Sequence, residues 1–224
     1  MTPFYRINRF AIKKAFQLYF RIGVDGQEKI PREGPVILAA NHTSFIDPVA
    51  VGVMCPRQIH PLAREDLWSI PLLRWWLSRM GAKPIKRGQG DTGALRAALE
   101  VLGHGKTVLV FPEGTRSRDG TIGPMKPGVG LLASRSRAPI VPTYISGTFL
   151  ALPRTRSFPL PVKIGVHFAA PIGQDLIGEY PADRRGYEEI TRRVDQAIRA
   201  IQERENRKAR DHPEHGVVEH EDLD

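Results

Sequence analysis

Apolar positions along this chain alternate between short unbroken runs and longer stretches with helical spacing. From Pro3 to Ile22 they recur at about 100° per residue. Phe4, Ile7, Ala11, Ala15, Leu18 and Ile22 share one face, widened by Tyr5, Ile12, Phe16 and Tyr19. Arg6, Arg9, Lys13, Lys14, Gln17 and Arg21 take the opposite side, and Phe10 and Phe20 break the pattern by pointing toward these charges. The spacing predicts one amphipathic helix with Gly23 as its stop. A short turn at 24–26 follows. The run 34–40 is continuously apolar between glycine and asparagine and reads as a buried strand. Further strands are expected at 58–64, 83–86, 107–111, 140–145 and 162–168. Helices are expected at 46–53, 71–80, 92–102 (with Asp91 as N-cap), 129–135 and 185–205. Such alternation predicts an α/β fold: a single-domain sandwich of a mixed, largely parallel sheet flanked by helices. Three segments result: an amphipathic membrane-associating helix over 1–22, a domain over 23–206, and a polar tail over 207–224 expected to be disordered.

Composition adds a partner class. The chain has 224 residues with 33 Lys+Arg against 24 Asp+Glu, a formal net charge of +9. The tail is acidic, so the basic excess lies in the body. It points to an anionic partner: nucleic acid, acidic lipid, an acidic carrier protein or a phosphorylated substrate. One cysteine, Cys55, excludes a disulfide framework and a cysteine-based zinc site, and no metal-ligand spacing is visible. No run approaches the roughly 18 apolar residues of a spanning helix, and the charge-interrupted N-terminus is not read as a signal peptide. If the protein meets a membrane, it is expected to lie on it, and the 1–22 helix carries five basic and no acidic residues for an anionic surface. Trp68, Trp75 and Trp76 can join that surface, fill the core or line a tunnel.

The chemistry concentrates in two segments. Asn41-His42-Thr43-Ser44-Phe45-Ile46-Asp47 follows the first buried strand, where α/β proteins place reactive groups. Histidine is a general base near neutral pH, and a carboxylate on its far ring nitrogen fixes the tautomer. With no obvious serine nucleophile, a substrate hydroxyl takes that place. The alternative is a His and an Asp that cap the next helix. The second segment, Phe111-Pro112-Glu113-Gly114-Thr115-Arg116-Ser117-Arg118, follows the strand at 107–111. Gly114 permits close backbone approach. Arg116 can hold a phosphate with two parallel hydrogen bonds, and Thr115 and Ser117 can add donors. Glu113 is expected to orient Arg116 or to contact a glycerol hydroxyl. The alternative is a turn with solvated charges.

Together these segments resemble the lysophospholipid acyltransferase family, which contains bacterial 1-acylglycerol-3-phosphate acyltransferases. That family is marked by Asn-His, four residues and Asp, then Phe-Pro-Glu-Gly-Thr-Arg-Ser, and both stand here unaltered about seventy residues apart. Gly81–Arg87 resembles the block whose arginine, here Arg87, helps bind the acceptor phosphate, although Lys86 replaces a frequent acidic residue. Ile140–Gly147 resembles a fourth block that shapes the acyl or acceptor pocket. Arg64 stands where many relatives have lysine and, with Lys126, is a further phosphate candidate. The resemblance implies a glycerolipid acyltransferase-like fold. It also implies that His42, held by Asp47, deprotonates the hydroxyl of a lysophospholipid acceptor. That oxygen then attacks the thioester of acyl-CoA or acyl-carrier protein, with no metal or organic cofactor. The implied place is peripheral or monotopic at the cytoplasmic face of the membrane. The acceptor expected is 1-acyl-glycerol-3-phosphate; lyso-ornithine lipid, another lysophospholipid or a glycolipid is the neighbouring reading. A non-catalytic lipid- or nucleic-acid-binding protein is the competing class. Nucleic acid is not expected, because no recognition-helix, zinc-finger or aromatic-strand signature accompanies the charge.

Overall fold

The computed structural model of the protein describes residues 1–85 and 90–211. Its elements run α1 (Pro3–Phe20), β1 (Gly23–Asp25), β2 (Val36–Ala40), α2 (Asp47–Met54), β3 (Ile59–Arg64), α3 (Pro71–Met80), β4 (Lys83–Ile85), α4 (Gly90–Gly103), β5 (Thr107–Val110), α5 (Gly128–Ser136), β6 (Ile140–Ser146), α6 (Thr148–Ala151), β7 (Gly165–Phe168), α7 (Gln174–Gly178) and α8 (Arg184–Asp211). The strands form one sheet in the order β1-β7-β6-β2-β5-β3-β4. Five neighbouring strands, β6 through β4, run parallel, and β7 pairs antiparallel with β6. β1 runs parallel to β7 at the edge. The sheet is therefore mixed and largely parallel, as the alternation predicts.

β2 shows why the run 36–40 carries no polar residue. All five of its residues are fully buried. A strand sends successive side chains to opposite faces. Val36, Leu38 and Ala40 enter the core beneath α1 and α2 with Val51, Met54 and Phe20. Ile37 and Ala39 enter the core beneath α4, α5 and α8 with Val101, Leu132 and Ile190. Helices cover both faces, so no position can stay polar. On the second face Gly130 of α5 lies so close to α8 that an added Cβ would stand 2.1 Å from the Tyr187 carbonyl oxygen.

Four expectations change. The turn at 24–26 belongs partly to a strand: Gly23 stops no helix but opens β1, and α1 ends at Arg21 in a left-handed conformation, φ 49°. Phe20 does not face the charges; it is 5% exposed in the core. Asp91 lies inside α4 rather than before it. α8 continues to Asp211, so residues 207–211 are helical, and the rest of the 207–224 tail lies outside the described residues.

α1 is no detached anchor. Tyr5 is buried, with its hydroxyl accepting from the Ile59 amide at 3.3 Å, and burial pushes its pKa up to about 12. Ile12 and Phe16 pack on the core. The other side of α1 leaves Ile7, Phe10 and Leu18 exposed at 69%, 65% and 87%. No helix among the described residues is long and apolar enough to cross a membrane.

Candidate active site

Parallel pairing of β2 with β5 sends both chemistry-bearing segments out of one sheet edge. His42 leaves the end of β2, and Asp47 is the first residue of α2. Asn41 fixes the departure. Its side chain donates to the Ile145 carbonyl at 3.0 Å and accepts from the Ile145 amide at 2.7 Å, extending the β2–β6 pairing by one side chain. The Asp47 Oδ2 atom then accepts three hydrogen bonds: from Thr43 N at 2.7 Å, Ser44 N at 2.8 Å and His42 Nδ1 at 2.9 Å. Asp47 is fully buried, whereas the His42 side chain is 18% exposed. With Nδ1 donating to the carboxylate, Nε2 is the ring atom left to accept a proton. Phe111 stacks on the imidazole at a centroid distance of 3.9 Å and 17°.

The loop after β5 clasps this turn. Glu113 Oε1 accepts from His42 N at 2.7 Å, Oε2 accepts from Gly123 N at 2.9 Å, and Ser117 N donates to the His42 carbonyl at 2.7 Å. Burial raises the Glu113 pKa, against the two amides that favour its anion. Gly114 turns the loop at φ 72°, with the Lys126 amine lying over it. Arg116 rests flat on Phe45, its guanidinium carbon 3.4 Å from the ring centroid. Its Nη1 is buried without a hydrogen-bond partner. Beside the loop lies an apolar cavity of about 320 Å³ lined by Leu62, Leu95, Val110, Phe111, Leu132 and Lys126, among others. The site thus combines an oriented imidazole, an open guanidinium and a greasy pocket within one loop cluster.

A family model described as Acyltransferase matches residues 21–146, which include both loops. The chain belongs to this acyltransferase family. It is similar to the chloroplastic 1-acyl-sn-glycerol-3-phosphate acyltransferase BAT2 of Brassica napus, 30% identical over 138 residues, 60% of this chain and 40% of the relative. It is also similar to the 1-acyl-sn-glycerol-3-phosphate acyltransferase of Bacillus subtilis, 27% identical over 144 residues, 64% of this chain and 71% of the relative. The matched part thus spans only about two fifths of the plant relative's length. Among solved structures it resembles the 1-acyl-sn-glycerophosphate acyltransferase PlsC of Thermotoga maritima, at TM-score 0.72 and 27% identity over 89% of this chain and 80% of the other.

In this member of the family, the structure brings together His42, Asp47, Glu113, Gly114, Arg116 and Lys126. Glu113 does not orient Arg116: each of its oxygens is taken by a backbone amide, so it joins the two loops instead. Ser117 Oγ is likewise committed, donating to Asp119 at 2.9 Å. Thr115 is exposed beside Arg116. Arg64 closes β3, and its side chain lies outside what is described; Arg87 lies outside the described residues altogether. The block Ile140–Gly147 supplies β6, the strand that receives Asn41. Sequence reasoning missed Phe45 and Phe111 as partners of Arg116 and His42, although both stand inside the quoted motifs. It also missed Arg154, whose Nη1 donates to the Arg116 carbonyl at 3.1 Å.

Proposed function

We propose that this protein moves a fatty acyl group from acyl-CoA or acyl-carrier protein to the free hydroxyl of 1-acyl-glycerol-3-phosphate, giving phosphatidic acid. The observation that carries the reading is the His42–Asp47 pair. A buried carboxylate, itself held by two backbone amides, fixes the imidazole by Nδ1 and leaves Nε2 for a hydroxyl proton. Nε2 takes that proton as the acceptor oxygen bonds to the thioester carbonyl carbon. The carbon–sulfur bond then breaks, and His42 returns the proton to the leaving thiolate. Asp47 stabilises the imidazolium formed between these steps. Arg116 anchors the acceptor phosphate and so places its hydroxyl. The apolar cavity beside Phe111 takes an acyl chain. The plant and bacterial relatives, 1-acyl-sn-glycerol-3-phosphate acyltransferases, support the acceptor.

The membrane holds such an acceptor, and α1 supports contact with it. Exposed Ile7, Phe10 and Leu18 enter the interface while neighbouring basic residues meet anionic headgroups. Incubating the purified protein with acyl-CoA or acyl-carrier protein and a panel of lyso-acceptors, with products read by mass spectrometry, tests the proposal. Phosphatidic acid is the expected product. Transfer to another lysolipid alone would move the acceptor; no transfer to any of them would remove the activity. Retention on DNA but not on anionic liposomes at matched salt would favour the nucleic-acid reading.

A further inference from the structure

Two arginines, Arg116 and Arg154, meet at the loop after β5. Arg116 is pinned to the exposed ring of Phe45, and its buried Nη1 has no partner. Arg154 reaches over from the segment after α6 and bonds the Arg116 backbone. Neither guanidinium forms an ion pair with a carboxylate among the described residues. Of the two acids three residues from Arg116, Glu113 accepts from the His42 and Gly123 amides, and Asp119 accepts from the Thr121 hydroxyl and amide and from Ser117 Oγ, bonds that hold its pKa at about 2. Burial lowers the Arg116 pKa and the charge of Arg154 lowers it further, while the Asp47 carboxylate, already bonded to His42 and two amides, raises it. Like charges held together, with Asp47 committed to His42 and two amides and no carboxylate bonded to either guanidinium among the described residues, form a site that an anion relieves.

The oxygen count identifies the anion. A bidentate guanidinium takes two phosphate oxygens. A phosphate monoester offers three acceptor oxygens and about −1.5 to −2 charge. A diester headgroup has only two free oxygens and one charge. We propose that Arg154 is a second substrate-binding guanidinium, and that the Arg116–Arg154 pair selects phosphate-monoester headgroups against diesters. The proposal rests on the acyltransferase reading and goes beyond it by assigning headgroup selection to a residue outside both motifs. A second monoester source exists, the 3′-phosphate of coenzyme A, so donor and acceptor must be tested apart.

Initial rates of the full-length protein decide this, with wild type, Arg154→Gln, Arg154→Lys and Arg156→Gln. Arg156 is an exposed arginine two residues away and controls for general charge. Acceptors are 1-acyl-glycerol-3-phosphate and lysophosphatidylglycerol; the donor is acyl-CoA. Losing one charged hydrogen bond should raise the monoester acceptor KM at least about tenfold in Arg154→Gln. The donor KM, kcat and any diester transfer should stay within about twofold, a margin below one such bond. Arg154→Lys should recover part of the loss, and Arg156→Gln should resemble wild type. A rise in donor KM alone would place the coenzyme phosphate there and overturn the proposal. So would equal losses on both acceptors, a fall in kcat at constant KM, an unchanged monoester KM, or an equal effect of Arg156→Gln. Failure of wild type on every acceptor would instead overturn the acyltransferase reading beneath it.

Discussion

At the scale of single residues, Asp47 does two jobs through one oxygen, and substitutions separate them. Asp47→Asn keeps an oxygen that can accept from the Thr43 and Ser44 amides but loses the charge and the preferred His42 tautomer. It should fold normally and lose at least about 10²-fold in turnover, the low end for impaired general-base catalysis. Asp47→Ala leaves those two amides buried without acceptors, at about 1–3 kcal/mol each, so its melting temperature should fall as well. An Asn variant that unfolds, or an Ala variant as stable as wild type, would show that the turn is held otherwise. Glu113→Gln should destabilise the loops by about 1–3 kcal/mol, because one amide N–H would face an NH₂ group instead of an oxygen. Chemical denaturation measures it. The His42–Asp47 pair was legible in the sequence because strand end, turn and helix start lie within seven consecutive residues. That Glu113 joins the two loops was not readable, because a string of residues does not show where backbone amides point. Arg154 was illegible for another reason: α5, β6 and α6 intervene before the chain returns to Arg116.

Among the elements, α1 shows what periodicity can and cannot say. The helix was readable from spacing; the cap at its start, where the Thr2 side chain accepts from the Tyr5 amide, was not read. Which apolar stripe turns inward was not readable, because apolar residues surround much of the helix. Tyr5, Ile12, Phe16 and Phe20 face the protein; Ile7, Phe10 and Leu18 face outward. Removing residues 1–22 should therefore unfold or strongly destabilise the protein, and Phe20→Ala alone should cost about 3–5 kcal/mol. The outward stripe is the sounder test of membrane contact. A triple variant, Ile7→Gln, Phe10→Gln and Leu18→Gln, should keep its melting temperature and lose flotation with anionic liposomes. Wild-type binding should weaken with salt without vanishing, since screening acts on the charges and not on the apolar side chains. Undiminished flotation of the triple variant would move the contact to another surface, with exposed Leu72 and Trp75 of α3 next in line. β1 escaped the sequence reading because three residues show no period.

For the whole molecule, the sheet order explains why so few residues define the site. Parallel β2 and β5 deliver both loops to one edge, and β6 beside β2 anchors Asn41. The layers were readable from apolar runs, whereas the reversal at β7 and β1 was not, because strand direction leaves no mark in a short run. The core also carries a pH dependence. Burial lowers the pKa of both His60 and His167, the latter despite Glu205 at 3.7 Å. Each is favoured neutral in the fold, so the unfolded chain binds their protons first as pH falls through about 6.5. Stability should decline below that pH, and His60→Gln or His167→Gln should flatten the decline in melting temperature; an unchanged profile would assign it to other groups. All of this frames one chemical claim, that His42 is the base of acyl transfer. The direct measurement is the rate of phosphatidic acid formation by purified His42→Ala, folded as judged by its melting temperature. A loss of at least about 10²-fold is expected, and a wild-type rate would contradict it.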